Sequence, residues 1–151
     1  MTASSPPDGV RFAELDEVRR RGAHLVNAAA AETGHDGMVY WKALAGFRAA
    51  GILVLMVVEV EGRLVGHCCA VYGREMWSAD CSLTTLSVFV EEQHRGRWGL
   101  PLLRAFRAEA ERLEAVASVQ ALPGTRLERM LVALGWRVSA VTYQPQVPKP
   151  D

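Results

Sequence analysis

A mixed α/β fold, with helices on both faces of a mixed sheet, is what this chain of 151 residues predicts. Three observations carry the prediction. Apolar residues recur at helical spacing over the first third. An apolar, β-branched run from Ile52 then opens a hairpin and a third strand. Beyond residue 100 helical and extended patterns alternate. The expected order is helix, helix, three strands, helix, strand, helix, strand.

In the first helix, read from Val10 to Ala31, Phe12, Leu15, Val18, Leu25 and Val26 share a face. Thr33-Gly34-His35-Asp36-Gly37 interrupts it. A second helix runs from Tyr40 to Ala49, with Tyr40, Leu44 and Phe47 on one side, and ends at Ala50-Gly51. Ile52 to Val58 reads as a buried strand, Glu61-Gly62 as a turn, and Arg63 to Tyr72 as the returning strand. Gly73-Arg74 reads as another turn, and Ser82 to Val90 as the clearest strand of the chain. The polar stretch Glu91 to Gly99 reads as a loop. A helix follows with Pro101 in its first turn, where a missing N–H costs least, and with Leu102, Leu103, Phe106, Ala110 and Leu113 as its apolar stripe. Val116 to Leu122 reads as a short strand. Thr125-Arg126-Leu127-Glu128 has the spacing of a capping box. The short helix after it stops at Gly135, and Trp136 to Gln144 alternates as a last strand. These elements form a single domain over residues 10–144, with tails at 1–9 and 145–151.

The composition narrows the function. Hydrophobic residues make up 50% and charged residues 23%, which excludes a disordered chain. Lys plus Arg and Asp plus Glu number 17 each, so no global field favours nucleic acid or an anionic membrane. Cys68, Cys69 and Cys81 lack a CxxC spacing, which points to a reducing compartment. Residues 1–8 have no apolar core of a signal peptide, and Gly51 to Val58 is far short of the roughly 20 residues that span a membrane. A cytoplasmic protein is expected. His67 and Cys69 can share a strand face, but a zinc site needs more ligands, so strand packing is the expectation and no metal. Cys81, Trp41, Trp77 and Trp136 are read as packing residues.

The chemistry concentrates where the strand Leu83 to Val90 runs through Gln93-His94-Arg95-Gly96-Arg97-Trp98-Gly99 into a helix. The first N–H groups of a helix lack internal partners, and its N-terminal end is positive. Glycine admits close approach, and Arg95 and Arg97 add forked donors. Such a junction suits a phosphate or diphosphate. It is no Walker loop, since GKS or GKT is missing, and no dinucleotide fingerprint, since G-x-G-x-x-G is missing and the preceding strands are hairpins.

The segment Val88 to Leu103 resembles the acetyl-CoA motif of the GNAT N-acetyltransferases, where a central strand ends in V-x-P-x-x-R-G-x-G-x-G before a helix with paired leucines. Val90, Arg95, Gly96, Leu102 and Leu103 match, and Glu92 replaces the proline. Glu59 to His67 resembles the family's hairpin, and Leu131-Val132-Ala133-Leu134-Gly135-Trp136 its late L-x-x-L-G-F. The likeness covers about Leu53 to Tyr143. Gln93-His94-Arg95-Gly96 is also similar to members carried by tailed phages. Trp98 and Leu100 stand at the last two glycine positions, unless the loop is one residue shorter and Gly99 takes the final one.

The resemblance implies a mostly antiparallel sheet of the acyl-CoA N-acyltransferase type and direct transfer of acetyl from acetyl-CoA to an amine, either on a small molecule or on a peptide or protein. It implies a cofactor site of Val88, Phe89, Val90, Gln93, His94, Arg95, Gly96, Arg97, Trp98, Gly99 and Leu100. Amides of Val88 and Val90 would hold the pantetheine, and loop amides the diphosphate. Homodimers are common in the family. The catalytic residues stay unassigned. Glu59, Glu61, Glu91 and Glu92 are base candidates that also read as surface carboxylates, Tyr143 reads as packing, and His35 and Asp36 border the expected acceptor pocket. Two other readings stand beside the enzyme: a non-catalytic GNAT-like module whose loop is closed by Trp98, and a structural protein in which the loop is only a turn.

Overall fold

The computed structural model describes residues 7–34, 36–74, 79–141, 143, 145 and 146. They fall into two compact units, the first ending at Gln120 and the second beginning at Ala121.

The first unit holds a five-stranded sheet in the order β1-β2-β3-β4-β5. These strands are β1 (Gly9–Phe12), β2 (Leu53–Val60), β3 (Arg63–Arg74), β4 (Cys81–Val90) and β5 (Ala115–Ser118). Each of the first four is antiparallel to its neighbour, and β5 is parallel to β4. Helices α1 (Leu15–Thr33) and α2 (Gly37–Ala49) lie on one face, where Leu15, Val18, Leu25, Val26 and Leu44 pack on Leu55, Val57, Leu64 and Cys69. Helix α3 (Arg95–Arg112) touches all five strands and buries Leu102, Leu103, Phe106 and Ala110. Alternation along β2 explains the two layers: Leu55 and Val57 face α1, while Met56 lies beside Ala105 and Ala108 of α3. The sheet with helices on both faces is thus as expected.

Local chemistry accounts for the boundaries. Gly34 ends α1 in the left-handed region at φ 73°, its N–H closing on the carbonyls of Ala30 and Ala31. The Asp36 carboxylate caps α2 by accepting from the Met38 N–H at 2.9 Å. Glu61 and Gly62 both have positive φ, 51° and 76°, which is the two-residue turn that matches strand twist. Asp8 holds this turn by accepting the Glu61 N–H at 2.8 Å.

Three expectations are corrected in this unit. Residues 9–12 are a strand rather than tail and helix start. Gly9 to Phe12 find ladder partners on β2, and the edge pairing overrides a weak helical pattern. Gly73 and Arg74 belong to β3 rather than to a turn, because they pair with Ser82 and Cys81. Glu59 is wholly buried, not a surface carboxylate, and it accepts from Arg11 at 2.8 Å and from Arg21 at 2.9 Å.

The β-strands pack closely at Gly66. A Cβ there would stand 3.1 Å from the Phe89 carbonyl oxygen, 3.1 Å from Val90 and 3.2 Å from Val58. Gly66→Ala is expected to lower stability by about 1–3 kcal/mol, since overpacking a tight site forces backbone shifts. Urea unfolding checks this, and a midpoint equal to wild type would refute it.

The second unit contains α4 (Arg126–Ala133). Thr125 caps it, its hydroxyl accepting the Glu128 N–H at 3.3 Å. The Glu128 carboxylate reaches back to the Gly124 N–H, one residue before the donor a capping box would use. Gly135 follows at φ 84°. The strand expected over Trp136 to Gln144 does not form among the described residues. Val138, Val141 and Tyr143 are exposed, so the packing role expected of Tyr143 is also corrected. An alternating pattern marks a strand only where a partner supplies the ladder, and none pairs with it here.

Candidate functional site

β4 and β5 pair only from Cys81↔Ala115 to Thr84↔Ser118. β5 ends there, at Ser118, and the Gln120 N–H donates to the Thr85 hydroxyl at 3.1 Å where the ladder stops. On its other side β4 stays paired with β3 up to Val90. One irregularity interrupts that pairing. Cys69 pairs with Ser87 and Ala70 with Thr85, so Leu86 is an extra residue that forms a bulge.

The backbone donors of the free edge can be assigned. The Glu91 N–H donates to the Val65 carbonyl of β3 at 2.9 Å. Along an extended strand N–H groups alternate sides, so those of Val90 and Val88 face the unpaired edge. These two amides are the ones the family resemblance implies for the pantetheine.

The edge leads into the head of α3. Glu92–His94 is one 3₁₀ turn, and α3 begins at Arg95, six residues before Pro101. The polar stretch expected as a loop is therefore largely helix, and Pro101 sits in its second turn. The Leu-Leu stripe continues backward through Gly99, which is buried, and that packing outweighs the preference of proline for the first turn. The N–H groups of Gly96 and Arg97 have no carbonyl four residues earlier within the helix. No side chain caps this end and no acidic residue lies in its first turn. Gly96 is exposed, with nothing within 4 Å of where a Cβ would stand.

The remaining expected site residues spread around this head. Arg97 is exposed and lies over the Trp98 ring, 5.0 Å from its centroid. Trp98, Leu100 and His94 are half-buried, and Gln93 is exposed, donating to Glu91 at 3.2 Å. Gly99 is in the helix body, not in a loop. The Arg95 side chain turns away from the helix head: its Nε donates to the Val90 carbonyl at 2.7 Å, and its Nη2 pairs with Glu32 at 3.2 Å.

The four carboxylates have distinct settings. Hydrogen bonds from Arg11 and Arg21 hold Glu59 well below the usual carboxylate range, so it is a poor proton acceptor. Glu91 is paired with Arg63 at 2.5 Å. Glu61 and Glu92 are exposed. His67 is fully buried, its Nε2 is 2.9 Å from the Ser87 hydroxyl, and burial lowers its pKa to about 4, so it is neutral at pH 7. This is the packing role expected of it. Asp36 serves as the α2 cap, while His35 and Trp77 lie outside the described residues. Trp41 packs against the core from a half-buried position. A cleft of about 350 Å³ opens between α1 and the end of β4, lined by Leu25, Ala28, Glu32, Phe89 and Glu92 among others.

No protein-family model matches the chain, and no curated protein is significantly similar to it. Solved structures are. The ribosomal-protein-alanine N-acetyltransferase of Brucella melitensis superposes with a TM-score of 0.72 at 18% identity, over 94% of this chain and 100% of that one. A GNAT family acetyltransferase of Staphylococcus aureus gives 0.67 at 13% identity, over 91% and 97%.

The chain has the GNAT acetyltransferase fold.

A third GNAT-like neighbour is AAC(6')-Iy, solved with the bisubstrate analogue CoA-S-monomethyl-acetylneamine. It gives a TM-score of 0.74 at 13% identity, over 94% of this chain and 100% of that one. The features that sequence reasoning missed are tertiary. The bulge at Leu86 and the end of the β4–β5 ladder at Thr84 have no local signal, because both arise from how β3 and β5 meet β4. Glu32, 63 residues from Arg95, is equally invisible before folding. Among the described residues no helix is long and apolar enough to cross a membrane, and no cluster of three potential metal ligands occurs.

Proposed function

We propose that the protein is an N-acetyltransferase that takes acetyl from acetyl-CoA and delivers it to an amine. The carrying observation is the end of the β4–β5 ladder at Thr84, which leaves the Val88 and Val90 amides without a strand partner among the described residues, with the uncapped head of α3 beyond them. A paired β4 would have no donors to offer. An edge of amides suits the amides of a pantetheine arm, and a positive helix head suits a diphosphate. Val88 and Val90 would hold the first, and the amides of Gly96 and Arg97 the second. The AAC(6')-Iy structure, which holds a CoA conjugate, supports this use of the fold.

Acetyl-CoA supplies the activated acyl group. The chain's own task is to orient the acceptor and manage two protons: the ammonium releases one to solvent before it attacks the thioester carbonyl, and as the C–S bond breaks the nitrogen loses the second, which ends on the departing CoA thiolate. An ammonium with a pKa of roughly 10 must lose a proton before it attacks. Glu59 is unsuited, being buried and held ionised by two guanidinium groups. Glu61 and Glu92 are exposed, and relay through solvent is the route we favour. An edge amide of β4 would stabilise the oxyanion. One structural neighbour is a ribosomal-protein-alanine N-acetyltransferase, so a peptide amine and a small-molecule amine are the two acceptor classes to assay.

Binding is tested by thermal unfolding with acetyl-CoA. At 100 times the dissociation constant the ligand adds about 2.7 kcal/mol, which is about 5–10 °C for a domain of this size. No shift at millimolar acetyl-CoA would remove the enzyme reading and leave the non-catalytic module.

A further inference from the structure

We propose that Arg95 is a positioning residue for the acyl-donor site: it fixes the open edge of β4 and does not grip phosphate. The inference rests on the acetyl-CoA reading and assigns within it a role different from the one the motif suggests. Arginine can grip phosphate through either of two forks, and both forks include one Nη. In Arg95, Nη2 is engaged by Glu32 at 3.2 Å and 3.4 Å, and Nε donates to the Val90 carbonyl at 2.7 Å. The guanidinium also lies over the Phe89 ring, 5.4 Å from its centroid. The side chain is 31% exposed and Glu32 56%, so water screens the Glu32 pair and the part-buried bond to the Val90 carbonyl is the main anchor.

Its targets are what make this a device. The Val90 carbonyl leaves the strand on the same side as the Val90 N–H, since both groups of a residue in an antiparallel strand point to one neighbour. Arg95 therefore satisfies the last acceptor of the open edge and leaves its last donor. Phe89, beneath the guanidinium, stacks on His67 with centroids 6.2 Å apart and planes at 29°. His67 in turn meets Ser87, the residue next to the Leu86 bulge. Arg95, Phe89, His67 and Ser87 thus brace one side of β4 from the bulge to the helix head, on the side opposite α3. Glu32 ties the brace to α1. Thermal drift of the edge amides would weaken any ligand that uses two of them together, and a rigid brace removes that loss.

The test splits the ligand. Acetyl-CoA, ADP (the diphosphate half) and S-acetylpantetheine (the thioester half) are titrated against the full chain and against Arg95→Lys and Phe89→Leu. Lysine keeps the charge but loses the Nε donor and the planar face. The expected result is that Arg95→Lys binds acetyl-CoA about tenfold more weakly, that the same loss appears with S-acetylpantetheine, and that ADP binding stays within twofold. Phe89→Leu, which changes no charge, is expected to shift the probes in the same pattern. Full retention of acetyl-CoA affinity in Arg95→Lys, a loss on ADP alone, or equal losses on both halves would each overturn the assignment. If Arg95→Lys does not fold, Phe89→Leu carries the test. Wild-type protein that binds none of the three probes would instead overturn the acetyl-CoA reading itself.

Discussion

Gly96→Glu is expected to weaken acetyl-CoA binding about a hundredfold while leaving the fold as stable as before or more so. The two effects separate because they have different physical sources. Position 96 lies in the first turn of α3, is exposed, and has nothing within 4 Å of a would-be Cβ. Replacing glycine inside a helix gains about 0.5–1 kcal/mol. An acid near the positive helix end gains about 0.3–1 kcal/mol more. A diphosphate at the same place would meet a like charge. At about 5 Å and an effective dielectric of about 20 the repulsion is about 3 kcal/mol, or roughly a hundredfold in dissociation constant. Raising the salt should recover part of this, because the site is solvent-facing. Calorimetric titration at two ionic strengths, with a melting curve on the same sample, checks both halves. A loss below threefold in a folded variant would move the diphosphate away from this helix head.

The double substitution Arg11→Ala/Arg21→Ala is expected to have the largest effect on stability, about 3–5 kcal/mol at pH 7, because it strands a buried carboxylate. Glu59 has a side chain 1% exposed and two guanidinium partners, one on β1 and one on α1. Glu17 joins the same group, pairing with Arg21 at 2.7 Å and also with Arg11. The cluster therefore fastens the edge strand and the long helix to β2. Its pH dependence has a definite sign. In the folded wild type Glu59 and Glu17 titrate below their unfolded values, since Arg11 hydrogen bonds favour the ionised forms. Their stabilisation is complete above the unfolded carboxylate range and is lost as pH falls through it toward the lower folded values. In the double variant the Glu59 carboxyl is buried without partners, so its pKa rises above the unfolded value. Acidification from pH 7 should then stabilise the variant where it destabilises the wild type. Urea midpoints between pH 7 and 4 decide this, and parallel curves for the two proteins would refute it.

The sequence by itself determined the elements whose reasons are local. The Glu61-Gly62 hairpin, the αL stop at Gly34 and the Thr125 cap follow from residues within a few positions of one another. So does the sheet-and-helix layering, because the alternation of Leu55, Met56 and Val57 assigns faces before any partner is known. The stretch from Val88 to Gly96 was legible as a strand running into a helix head, and the anion-binding role read from it stands as the proposal above. Tertiary structure decided the rest. Residues 9–12 became a strand because β2 offered them a ladder, while the described residues from Trp136 onward, with the same kind of pattern, form none. Glu59 became a buried ion because two arginines from elsewhere in the chain converge on it, and Arg95 turned to Val90 and Glu32 for the same kind of reason. Patterns of period two or 3.6 specify which face a side chain takes. Which neighbour waits on that face is fixed only when strands and helices distant in sequence pack together.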